Sequence, residues 1–145
     1  MLPEPNSSPE NELSELLSVG IPARPDAIGD VADSINAILV RLQVPEQKQL
    51  EIALAVQEAL VNAVVHGCES DPSKEVRCRL QSDPNGRIVI TVTDPGPGFK
   101  PERLADPKAG ENLYADHGRG VYLIRQLMDE VSFEGRGSEI KMWKY

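Results

Sequence analysis

Glu58 and Asn62 stand four residues apart in the apolar run EALVNAVV at 58–65. In a helix that spacing sends both side chains from one face, one turn apart. A carboxylate beside an amide oxygen supplies hard oxygen donors of the kind a magnesium–phosphate site uses, because Mg²⁺ keeps several waters and takes one or two protein groups. Asp94 opens the segment Asp94-Pro-Gly-Pro-Gly-Phe99, directly after a strand-like run. Its carboxylate can accept a hydrogen bond from an exocyclic amine, such as N6 of adenine. Gly96 and Gly98 would let the backbone lie against a flat base without Cβ interference. Gly118-Arg119-Gly120 precedes a further helical run. A helix start there would aim free N–H groups and the positive end of the dipole at phosphate, with Arg119 adding charge.

Taken singly, each segment has an ordinary explanation. Glu58 and Asn62 also suit a solvated helix face, DPGPG a turn, and GRG a loop–helix junction. Together, in this order, they favour a nucleotide site built without a Walker loop. The remaining chemistry-bearing residues add little. His66 reads as a structural cap, and His117 and the charges of Lys100, Arg103 and Lys108 as solvated groups. The two histidines and two cysteines have no zinc spacing.

The elements that must position these groups are legible from periodicity. Residues 1–12 lack an apolar period and are expected to form a flexible tail, leaving 13–145 as one domain. A first strand is expected at 14–21. Ile28, Val31, Ile35, Ile38, Leu39 and Leu42 mark one helix after Pro25, and a second follows Pro45 to about residue 66, with Gly67 closing it in a left-handed conformation. Val76, Cys78 and Leu80, then Ile88, Ile90 and Val92, alternate as strands around the turn Asp83-Pro-Asn-Gly86. Residues 100–117 carry no period and have the length of a lid. Val121, Ile124, Leu127 and Met128 give a third helix, and strands near 130–134 and 138–144 complete the chain. The expected fold is an α/β two-layer sandwich, a mostly antiparallel sheet covered on one face by three helices.

Fifteen basic residues face twenty-three acidic ones, for a net charge of −8. That balance offers no footprint for nucleic acid. No signal peptide or span of bilayer length is read from the sequence, so no membrane association is expected. Cys68 and Cys78, outside any CxxC pattern, suggest a reducing cytoplasm.

In order and spacing the three segments resemble the N, G1 and G2 boxes of the GHKL ATPase/kinase superfamily, which includes gyrase, Hsp90, histidine kinases and MutL. The flanks narrow the similarity. EALVNAVVHG at 58–67, DPGPGF at 94–99 and HGRGVYLIRQLMDEV at 117–131 look like the anti-sigma factor serine/threonine kinases, small GHKL proteins of bacterial stress and sporulation control. The resemblance runs from about residue 14 to the C-terminus. It implies the Bergerat ATP-binding fold, ATP and Mg²⁺ as cofactors, Glu58 as catalytic base, Asn62 as metal ligand and Asp94 as adenine partner. Gly96, Gly98, Gly118 and Gly120 would shape the base pocket and lid. Ser138 stands where a threonine hydroxyl commonly supports adenine binding, and Val121 where leucine or phenylalanine is common. The implied partners are an anti-anti-sigma protein as serine substrate, a sigma factor, and a second copy of the chain in a homodimer. Two rivals stay open: a binding-only module switched by nucleotide, and the ATPase half of a split histidine kinase.

Overall fold

The computed structural model describes residues 12–95, 115–134 and 138–145, without the side chains of 115–119. The expected tail, apart from Glu12, and most of the expected lid lie outside the described residues.

Among the described residues, five strands form one sheet in the order β1 (Ser14–Pro22), β2 (Glu75–Ser82), β3 (Ile88–Thr93), β5 (Glu139–Lys144), β4 (Glu130–Glu134). Every pairing is antiparallel. Because side chains alternate along a strand, the pairing register carries the apolar positions across the sheet in rows. One row runs Val19, Cys78, Val92, Ile140, Phe133, and the next runs Leu17, Leu80, Ile90, Met142, Val131. Both rows belong to the same apolar core as the helices.

Three helices of the described residues cover that face: α1 (Ile28–Arg41), α2 (Glu46–Val61) and α3 (Ala115–Leu127). The stripe of α1 buries Ile28, Val31, Ile35 and Leu39. Helix α2 lies between α1 and α3 and buries Ile52, Ala55, Val56, Ala59 and Leu60. Ala55 and Ala59 suit a helix packed on both flanks, because small side chains admit close approach.

Two expectations are corrected here. The second helix does not run evenly to residue 66: it passes at Asn62 into a π-helical turn, Asn62–Gly67. Gly67 does not take a left-handed backbone conformation; Glu69 (φ 52°) and Ser70 (φ 55°) do. Helix and π turn together form a 22-residue segment, Glu46–Gly67, which by length and composition alone could cross a membrane. The sequence reading found no such span. The buried residues of this segment pack into the core under the neighbouring helices.

Strand parity also explains a buried cation. Ile140 and Met142 face the helices, so Lys144 does as well, and it is 7% exposed. Its ammonium donates to Glu51 Oε2 at 2.7 Å and to the carbonyl of Leu127, the last residue of α3, at 2.5 Å. One side chain thus ties β5 to both α2 and the C-terminus of α3, where a cation also suits the helix dipole. The ammonium of Lys144 holds the Glu51 carboxyl below the usual carboxylate range.

Lys144→Ala leaves the Leu127 carbonyl and Glu51 without this donor, and should destabilise the fold by about 1–3 kcal/mol in urea titrations at pH 7. A depressed folded-state pKa contributes stability above the unfolded value, 4.5 for Glu51, and that contribution is lost as pH falls through the folded value. The stability deficit of Glu51→Gln relative to wild type should therefore be full at pH 7 and shrink progressively below pH 4.5.

Candidate functional site

The site is built on the C-terminal end of α2. Glu58 and Asn62 are half-buried on one face, as their spacing requires. Facing them is Gly120, itself buried in α3. A Cβ at Gly120 would lie 2.9 Å from Asn62 Nδ2, 3.1 Å from Glu58 Oε2 and 3.3 Å from Asn62 Oδ1. The carboxylate and the amide therefore converge on one bare point of the α3 backbone. Any side chain there would fill the space into which they project.

The second half of the site lies one turn further on. Asp94 follows the last residue of β3, and its N–H donates to the Ser138 carbonyl at 2.9 Å, just before β5. Thr93, the residue before it, donates its hydroxyl to Glu139 at 3.0 Å. The Asp94 side chain meets the π turn: a Cβ at Gly67 would stand 2.5 Å from its Cγ and Oδ2 and 2.7 Å from Oδ1. Beside it, burial first and the Asp94 carboxylate second push the Cys68 thiol up. Burial alone pushes Cys78 up to about 12. Both thiols are free and buried, and protonated thiols are poor nucleophiles, so neither is suited to nucleophilic chemistry.

Of the residues singled out in the sequence, Glu58, Asn62 and Gly120 form one group and Asp94 and Ser138 another, joined through the π turn. Such turns recur at functional sites because an extra residue re-aims the side chains that follow. Gly96 and Gly98, and the side chain of Arg119, lie outside the described residues. Gly118-Arg119-Gly120 does not precede the third helix. That helix begins at Ala115, so its unbonded N–H groups fall near residues 115–117 rather than at the glycines. Glycine in a helix costs about 1 kcal/mol relative to alanine, too little to stop a helix that packs on α2. Sequence reasoning missed Gly67 as a contact of Asp94. It also missed Lys144, whose signal was available in the apolar alternation of Ile140 and Met142.

The donor set suits the group that this chemistry implies. Glu58 and Asn62 offer oxygen atoms to one point, while no cluster of three or more His, Cys, Asp or Glu residues suited to a metal ion occurs among the described residues. That is the sparse oxygen-donor environment in which Mg²⁺ is held mainly by phosphate and water.

The sequence profile of the histidine kinase-like ATPase domain matches residues 21–144. The chain belongs to that family. Its relatives include proteins named serine-protein kinases and an anti-sigma factor. The chain is 29% identical to the serine-protein kinase RsbW of Bacillus pumilus, over 93% of this chain and 88% of the relative. It is 27% identical to RsbW of Bacillus subtilis, over 91% and 86%. With the anti-sigma F factor of Clostridium perfringens it shares 33% identity over 77% of this chain and 82% of the relative. The fold is shared with a chain in the structure of the SiaB–SiaC complex from Pseudomonas aeruginosa, at a TM-score of 0.59 and 12% identity, covering 90% of this chain and 88% of that one. It is shared too with the histidine kinase domain of a blue-light activated kinase from Erythrobacter litoralis, at a TM-score of 0.53 and 23% identity, covering 86% and 61%.

The packing at Gly120 yields a direct test. The atoms that a methyl there would meet are the ends of rotatable side chains, so Gly120→Ala should displace Asn62 without unfolding the domain. The melting temperature should stay within a few degrees of wild type, helped by the better helix propensity of alanine. The side-chain amide resonances of Asn62 should shift in the apoprotein. Unmoved resonances would show that the contact is looser than these distances.

Proposed function

We propose that this chain is an ATP-dependent protein serine kinase and anti-sigma regulatory factor of a bacterial partner-switching system, acting in the cytoplasm. In one state it holds a sigma factor inactive. In the other it binds an anti-anti-sigma protein and phosphorylates it on serine, which releases that partner. The observation that carries this reading is the convergence of Glu58 and Asn62 on Gly120, with Asp94 one turn away, in a chain whose relatives include serine-protein kinases and an anti-sigma factor. A pure binding module needs no carboxylate at that point.

Each residue then has a distinct task. Asp94, anchored by its backbone to Ser138, accepts a hydrogen bond from the exocyclic amine of adenine. The oxygen of Asn62 would hold Mg²⁺, which would supply neutralisation of phosphate charge. Glu58 orients the serine hydroxyl and takes its proton as the serine oxygen bonds to the γ-phosphorus. The bond from that phosphorus to the β–γ bridging oxygen breaks, and ADP leaves. Protein catalysis of such a transfer consists mostly of positioning and electrostatics. A homodimer is part of the same reading.

Glu58→Gln keeps the size and hydrogen-bonding capacity of the side chain but removes the base. Single-turnover phosphorylation of a cognate anti-anti-sigma protein at saturating ATP should fall about 10²–10⁴-fold, with ATP affinity and partner capture retained. A wild-type transfer rate in this variant would remove Glu58 from the mechanism. Base recognition and metal binding separate by calorimetry. Asp94→Asn should weaken ADP and ATP alike, by about 1–3 kcal/mol, whereas Asn62→Ala should impair magnesium-dependent ATP binding most. Equal losses for magnesium-free ADP in the two variants would contradict this division of roles.

A further inference from the structure

Gly67 contributes no functional group, yet the Asp94 carboxylate rests on its Cα. A Cβ at that position would stand 2.5 Å from Asp94 Cγ and Oδ2 and 2.7 Å from Oδ1, separations that real Cβ contacts do not reach. The backbone there is not left-handed, so glycine is required for space and not for conformation. Asp94 has little room to retreat. Its N–H is bonded to Ser138, Cγ is only two bonds from its Cα, and the buried Cys68 adjoins the carboxylate. The π turn that brings Gly67 to this point is a local departure from the α-helix that carries Glu58.

We infer that Gly67 is the positioning residue for base recognition: its bare Cα fixes where the Asp94 carboxylate points, and so sets the preference for a purine bearing an exocyclic amine over one bearing a carbonyl. This rests on the assignment of Asp94 to the adenine amine. Adenine offers a donor at C6, whereas hypoxanthine presents a carbonyl oxygen that a carboxylate repels. The orientation of Asp94 therefore appears in the ratio of affinities for ADP and inosine diphosphate. A merely destabilised protein would weaken both ligands alike.

The test is calorimetric titration of ADP and inosine diphosphate, without magnesium, into wild type, Gly67→Ala, Asp94→Ala and the double variant. Wild type should favour ADP by about tenfold or more, and Gly67→Ala should lose about tenfold for ADP with the ratio falling toward one. Asp94→Ala removes all three atoms that the new methyl would meet. The double variant should therefore bind ADP, and melt, like Asp94→Ala alone. That comparison holds even if Gly67→Ala by itself folds poorly, because removal of the carboxylate should then restore folding. Gly67→Ala with wild-type affinity and selectivity would overturn the inference, as would losses that add in the double variant. If Asp94→Ala bound ADP as tightly as wild type, or wild type failed to prefer ADP, the assignment of Asp94 itself would fall and this inference with it. Loss of selectivity in Asp94→Ala alone, with Gly67→Ala unchanged, would leave the Asp94 assignment standing and sink the role of Gly67.

Discussion

The absence of two side chains governs the site. At Gly120 the backbone of α3 comes close enough to α2 that Glu58 and Asn62 share one point, and at Gly67 the π turn admits the Asp94 carboxylate to the same end of the helix. Both contacts are tighter than any residue with a Cβ tolerates without movement. Helix α2 thus works in two directions. Ile52, Val56 and Leu60 hold it down in the core, while its polar face is fixed by backbone from α3 and by a side chain at the end of β3. Rigid elements place polar groups more accurately than loops do, because their own packing locks the geometry.

The other end of the helical layer is held electrostatically. Lys144 enters the core because strand parity leaves it no other face, and its ammonium finds both a carboxylate and the free carbonyl at the end of α3. A buried ammonium without such partners would be strongly unfavourable. The position of α3 against α2 is consequently defined twice, by close packing at Gly120 and by this bridge near Leu127. Since Glu51 and Glu58 are two turns apart on α2, the bridge and the site share a helix face, and tilting α3 would disturb both.

Membership of the histidine kinase-like ATPase family accounts for the arrangement without a Walker loop. In the proposed reading, phosphate and base would be approached from a helix and a strand end, not from one glycine-rich loop. Two solved structures that share the fold do so at 12% and 23% identity. The layered arrangement therefore tolerates wide sequence change, provided the apolar rows and helix stripes persist.

Much of this was legible in the sequence. Alternation at Val76, Cys78 and Leu80 and at Ile88, Ile90 and Val92 marked β2 and β3, and the stripe from Ile28 to Leu39 marked α1, because burial imposes these periods on any chain that folds so. The four-residue interval between Glu58 and Asn62 fixed their common face for the same reason. What sequence could not supply was contact between elements. Nothing local shows that Asp94 meets Gly67, that Ser138 receives the Asp94 N–H, or that Lys144 spans two helices, since each joins residues between 17 and 93 positions apart or across separate elements. The glycines were misread on the same account: at Gly67 and Gly118–Gly120 the residue type suggested a helix end, whereas the fold uses Gly67 and Gly120 for space. Periodicity determined which faces are buried; only the packing of α2 against α3 and β3 decided which polar groups meet.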